Sequence, residues 1–182
     1  MKTCPKTEAE ENSGTGCPEA GGPLEAPSPG AAIDFDFCSR CPACFSGIAM
    51  EAGRSYRIEI VGEPDGWSDG DWSASTVDEA LKGWHDVSDL PRKPMDWVWR
   101  WALGLGIDHE ARTKRRVRDA DWFRIFLAVR TDDGSESDPI ALETSPQTFQ
   151  ALAAGELYLF VNDSPKRYGN NQGRMRLRLS PA

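Results

Sequence analysis

The sequence predicts an all-β protein, an antiparallel β-sandwich with a short, partly helical insertion. Three observations carry that reading. Several segments show strand patterning, polar turn signals separate them, and no regular alternation of strand with helix accompanies them.

Residues 1–32 hold five Pro and five Gly, and their only large apolar side chains are Met1 and Leu24. Such a segment buries too little surface to offset the entropy of ordering it. A disordered or extended N-terminal tail is therefore expected over 1–45, with a cysteine cluster at its end and the sandwich over 46–182. "SYRIEIV" alternates, with Tyr56, Ile58 and Ile60 on one face and Arg57 and Glu59 on the other. "RMRLRLS" does so more strictly, with Met175, Leu177 and Leu179 inward and Arg174, Arg176 and Arg178 outward. Period two marks a strand with one wet face. "WFRIFLAV" (122–129) and "GELYLFVN" (155–162) are evenly apolar and suit central strands, with the polar turn "DDGSESDP" between them.

Residues 71–120 break this rhythm and form the insertion. "STVDEALKGW" offers a capping box from Thr76 to Glu79 and a glycine stop at Gly83. "PMDWVWRWALGLG" places Met95, Val98, Trp99 and Leu103 at helical spacing, which predicts a second short helix. The tryptophans at 97, 99 and 101 can stack on sugar rings, although aromatic side chains more often fill a core. "RTKRRVR" (112–118) packs five basic residues into seven and reads as a solvated linker.

With 29 Asp+Glu against 21 Lys+Arg and a formal net charge of −8, nucleic acid is not the expected partner. No apolar run approaches the roughly 20 residues needed to cross a bilayer, so no membrane partner is expected. The first residues, "MKTCPKTEAEENSGTG", contain no hydrophobic stretch that would serve as a secretory signal, and a cytoplasmic location is expected. Five cysteines, an odd number in a chain of this length, argue against a disulfide framework.

The chemistry concentrates in "VNDSPKRYGNNQG", residues 161–173. A hard cation such as Ca²⁺ takes 6–8 oxygens from carboxylates, amide carbonyls and main-chain carbonyls. Asp163 offers a carboxylate, Asn170 and Asn171 two side-chain carbonyls, and the main chain between Ser164 and Arg167 further oxygens. Gly169 and Gly173 let the backbone bend. Turns in general favour Asn, Asp, Pro and Gly as well, so composition alone leaves an ordinary turn as the alternative.

The stretch "GELYLFVNDSPKRYGNNQGRMRLRL" resembles the C-terminal part of the calcium-dependent galactophilic lectins of bacteria. It keeps Asn162-Asp163, Tyr168-Gly169-Asn170-Asn171 and Gly173 in the register of that family. The resemblance implies a galactose-binding-domain-like β-sandwich. It also implies Ca²⁺ held by the side chains of Asp163, Asn170 and Asn171 and by the backbone carbonyl of Arg167. A further backbone carbonyl would come from the loop beside Gly66-Trp67, from Asp69 or Ser68. The implied partner is a carbohydrate of galactose type, its hydroxyls docking on the cation and on Asp163 and Asn170. The loops that would select the sugar lie where this chain departs from the family.

Two other motifs compete. "GWSDG" (66–70) matches the G-x-S-x-G elbow of serine hydrolases, with Ser68 as nucleophile and His85 or His109 as base, but βα units do not surround it. "CSRCPAC" places Cys38, Cys41 and Cys44 in a C-x₂-C-x₂-C array that can grip Zn²⁺, with Cys17, Cys4 or a histidine as fourth ligand. The sequence thus predicts a non-enzymatic, calcium-dependent carbohydrate-binding module, with a structural or protein-interaction sandwich as the alternative.

Overall fold

The computed structural model describes residues 22–69, 72–84, 115–164 and 168–182. The expected second helix, its three tryptophans, both histidines, Cys4, Cys17 and Arg167 lie outside the described residues. Among the described residues, ten strands and one short α-helix follow in chain order: β1 (Ile33–Cys38), β2 (Cys44–Met50), β3 (Ser55–Ile60), β4 (Asp65–Asp69), β5 (Trp72–Ser73), α1 (Val77–Lys82), β6 (Ile125–Arg130), β7 (Ile140–Ala141), β8 (Gln147–Gln150), β9 (Gly155–Val161) and β10 (Asn171–Pro181).

They form two antiparallel sheets, as expected of an all-β sandwich. The long strand β10 organises the first. One of its edges takes β1, from Ile33↔Leu179 to Cys38↔Arg174. Its other edge takes β3 against 177–181 and then β4 against 171–174, while β8 and β5 extend the sheet beyond these. The second sheet runs β2-β9-β6-β7. Phe35, Phe37, Tyr56, Ile58, Met175, Leu177 and Leu179 of the first sheet share one core with Ile48, Ile125, Leu127, Val129, Leu157, Leu159 and Val161 of the second. Burial of this shared apolar face is what holds two-sheet architectures together.

The domain begins earlier than the expected boundary at residue 46. Ile33-Asp34-Phe35-Asp36-Phe37 is itself an alternating stretch, with Phe35 and Phe37 buried in the core. Its outward acids meet the outward arginines of β10. Asp34 accepts from Arg178 Nε at 2.7 Å and from Arg178 Nη2 at 3.0 Å. The Arg178 guanidinium holds the Asp34 carboxyl below its ordinary range. Opposite charges directly across a ladder stabilise the pairing. Even Glu25 is docked, its N–H donating to Gly47 O at 2.8 Å.

Helix α1 forms where the capping signals place it. Thr76 Oγ1 accepts from Glu79 N at 3.3 Å, and the Glu79 carboxylate accepts from Thr76 N at 3.2 Å. Gly83 ends it at φ 66°, where a Cβ would lie 2.2 Å from Trp122 O.

The described part of the basic run, residues 115–118, is not a solvated linker. Arg115 is buried, donates to Ala120 O at 2.7 Å and lies over the Trp122 ring at 5.0 Å. Arg116 stacks on Phe160 at 3.9 Å and donates to Pro42 O, Tyr158 Oη and Glu136. These contacts, with Val117 and Ala120, pack onto the outer face of the second sheet, where Phe45, Phe126, Ala128, Tyr158 and Phe160 are buried. Apolar residues on both faces of β6 and β9 explain why those strands read as evenly apolar.

Where β4 meets the start of β10, the register shifts between Gln172 and Arg174. Gly173 sits in this bulge at φ 100°, and a Cβ there would lie 2.5 Å from Trp67 N and Cα. Main chain packs against main chain at this point, over the fully buried Trp67 indole. Gly173→Ala is expected to cost about 2–4 kcal/mol, because the left-handed conformation and the backbone clash act together. Urea unfolding of the two proteins would measure it. A cost below about 0.5 kcal/mol, the scale of an ordinary surface change, would show that the bulge relaxes freely.

Candidate functional site

Pairing brings several strand ends to one end of the sandwich. Cys38 at the end of β1 lies opposite Arg174, Asp69 at the end of β4 opposite Asn171, and Val161 at the end of β9 opposite Ile125. The turn from β9 to β10, the β1–β2 loop and the end of β4 therefore meet. The turn and the cysteine loop, singled out separately in the sequence, are neighbours.

Asn162 and Asp163 follow β9 and are both buried, but they do different work. Asn162 is fully engaged with residues 117–121, the end of the basic run and the loop that follows it. Its Oδ1 accepts from Val117 N at 2.8 Å, and its Nδ2 donates to Val117 O at 2.9 Å, Ala120 O at 3.1 Å and Asp121 O at 2.9 Å. Asp163 is 2% exposed, and its Oδ1 accepts from Ser164 N at 2.5 Å.

The chain re-enters the described residues in a 3-10 turn, Tyr168–Asn170. Tyr168 is buried, and its hydroxyl donates to Val161 O at 2.6 Å, tying the turn back to the end of β9. Burial pushes the Tyr168 hydroxyl up to about 12, with the nearby Asp163 charge adding to the rise and Arg116 opposing it. A tyrosine whose folded pKa lies above its unfolded value near 10 stabilises the fold fully below pH 10. That contribution is lost as pH rises from about 10 to about 12. Tyr168→Phe should flatten the alkaline fall of the melting temperature; an unchanged pH profile would exclude Tyr168 as its source.

Asn170 is exposed and donates through Nδ2 to Asp69 Oδ1 at 2.6 Å, while the other Asp69 oxygen accepts from Trp84 Nε1 at 3.4 Å. Asn171 is fully buried. Its Nδ2 donates to Ser39 O at 3.2 Å, and its Oδ1 has no hydrogen-bond partner. A buried carbonyl left without a donor costs about 1–3 kcal/mol, and a bound ion or water is one way to satisfy it.

The residues present suit an oxygen-seeking cation. The turn supplies a buried carboxylate at Asp163 and a buried, unpartnered carbonyl at Asn171, with the Asp69–Asn170 pair beside them. Among the described residues no three His, Cys, Asp or Glu side chains gather in one place. The set implied by the sequence contains a single such side chain, Asp163, and completes itself with amide and main-chain oxygens, as calcium permits. The main chain of Asp69 is brought opposite Asn171, and the structure adds its carboxylate, which sequence reasoning did not use.

The competing motifs fare differently. Ser68 lies inside β4 opposite Gln172, with its hydroxyl turned to Gly66 O at 3.4 Å. No strand-to-helix elbow presents it. Cys38 and Cys41 are disulfide-bonded, and Cys44 remains a buried thiol directed at Asp36 O at 3.7 Å. Zinc binds thiolates, so in this state Cys38, Cys41 and Cys44 do not supply the three sulfur ligands expected of them. The bridging also departs from the expectation of no disulfide framework.

Sequence reasoning missed Ser39 and Arg40. Ser39 Oγ donates to Gln172 O at 2.7 Å and Ser39 N to Gly173 O at 3.2 Å, and Arg40 Nη2 donates to Gly169 O at 3.1 Å. Only the turn-like spacing of "CSRC" hinted at them. No helix among the described residues is long and apolar enough to cross a membrane. No family model, no curated protein and no solved structure matches the chain.

Proposed function

We propose that this protein is a non-enzymatic, calcium-dependent carbohydrate-binding module. One observation supports the reading above others: the fully buried Asn171 carbonyl lacks a donor in the same turn that buries the Asp163 carboxylate. Asp163, Asn170 and Asn171 would hold Ca²⁺, with main-chain oxygens from Arg167 and Asp69. The bound cation supplies an electrophilic docking point for two neighbouring sugar hydroxyls. Asp163 would accept from one hydroxyl, and Asn170 at the exposed rim would hydrogen-bond the other, in keeping with a galactose-type ligand.

A second reading is a structural or protein-interaction sandwich that no longer binds sugar. It is favoured by the Asn170–Asp69 hydrogen bond, which already engages one of the groups a sugar would need.

Thermal denaturation with calcium chloride, then with a chelator, tests the cation. A ligand that binds only the folded state stabilises it by about 2.7 kcal/mol at 100 times its Kd. The melting temperature should rise with calcium and fall back with the chelator. A glycan array run with and without calcium then separates the two readings. Calcium-dependent retention of galactosides supports the module; stabilisation without any retained glycan leaves the scaffold.

A further inference from the structure

We infer that the turn Cys38–Cys41 positions the calcium turn, so that opening the disulfide bonding at its two ends weakens cation binding. The inference rests on the calcium reading and adds regulation of the same site.

The geometry is a short chain of contacts. Cys41 N donates to Cys38 O at 3.3 Å, closing a turn whose two middle residues are Ser39 and Arg40. Both cysteines that bracket this pair are buried and disulfide-bonded. The bracketed pair touches the candidate site at four residues, Gly169, Asn171, Gln172 and Gly173. Arg40 donates to Gly169 O, Ser39 O accepts from Asn171 Nδ2, Ser39 Oγ donates to Gln172 O, and Ser39 N donates to Gly173 O. The contact with Asn171 matters most. An amide that gives its NH₂ to a fixed carbonyl has its own carbonyl direction fixed as well. Ser39 thus aims the buried Asn171 oxygen that has no other partner. Ser39 is itself fully buried, so its place depends on the turn that carries it.

Cross-links at both ends restrict that turn to few conformations. Opening them returns that freedom, and the site must then restrict the turn again when it binds. The redox step balances simply. For each bond opened, a thiolate of a dithiol reductant attacks one sulfur, its second thiol closes on the mixed disulfide, and two cysteine thiols and one cyclic disulfide result. Two electrons and two protons pass to the protein. Coupling is reciprocal, so bound calcium should resist reduction by the factor through which reduction weakens calcium. A chain built this way binds weakly under reducing conditions and strongly once oxidised.

The test uses the full chain, calcium chloride and dithiothreitol. Titration calorimetry should show calcium Kd rising at least about tenfold on reduction. Hydrogen exchange should accelerate at amides 168–173 while β6 and β9 keep their protection. The variant Cys38→Ser/Cys41→Ser should bind weakly and ignore the reductant. Should it fail to fold, the wild-type chain compared in its two redox states decides alone. Equal calcium affinity in both states, with unchanged exchange at 168–173, overturns the inference and leaves the calcium reading intact. Absence of calcium binding in the oxidised chain removes the calcium reading instead. The exchange comparison then still decides whether the disulfide-bracketed turn positions its neighbour.

Discussion

Asn162→Ala is expected to lower the unfolding free energy by about 3–4 kcal/mol, with or without calcium. The side chain is fully buried and makes four hydrogen bonds to the main chain of residues 117–121. Truncation leaves one N–H and three carbonyls without it, in a place where water has little access. The loop it holds also packs onto the outer face of the second sheet, over Phe126 and Phe160. Asn162→Asp should be at least as costly, because an ionised carboxylate only accepts and would face three carbonyls. At about 2–4 °C per kcal/mol for a chain of this size, the alanine variant should melt roughly 6–16 °C lower. A drop of less than about 2 °C would show that the clamp contributes little.

The next residue should behave in the opposite way. Asp163→Asn is expected to abolish calcium-dependent stabilisation, a loss of about 2.7 kcal/mol at 100 times Kd. The asparagine carbonyl can still accept from Ser164 N, so the local hydrogen bond survives. The substitution removes the negative charge and exchanges one carboxylate oxygen for an NH₂ group, and that charge is what the divalent ion needs most. Thermal melts of both variants, each with calcium and with chelator, form the comparison. If Asp163→Asn keeps the full calcium response, the ligand assignment is wrong even if calcium binds elsewhere. Adjacent buried residues with opposite calcium dependence would separate a structural asparagine from a ligating aspartate.

Much of the fold was legible before any coordinates. The alternation of β3 and β10, the apolar runs of β6 and β9 and the capping box of α1 are local signals, and local patterning specifies which face a strand buries. β1 was equally legible, since Ile33, Phe35 and Phe37 alternate with two acids. It was obscured by the Pro- and Gly-rich composition just before it. β4 was not legible as a strand, because "DGWSD" has turn composition and pairs only where the Gly173 bulge lets its backbone approach.

What the amino-acid sequence by itself determined was the two-sheet β class, the capped helix and the oxygen-rich turn between the last two strands. These rest on periodicity and on side-chain chemistry within a few residues. Tertiary structure decided which member of that turn does what. Asn162 is consumed by a loop some forty residues away, Asn171 is aimed by Ser39, and Asn170 is held by Asp69. It also made the end of the basic run, from Arg115 to Val117, a packed clamp and joined the cysteine loop to the turn. Long-range partners of this kind leave no period in a chain, because the hydrogen bonds that select them exist only once the strands have paired.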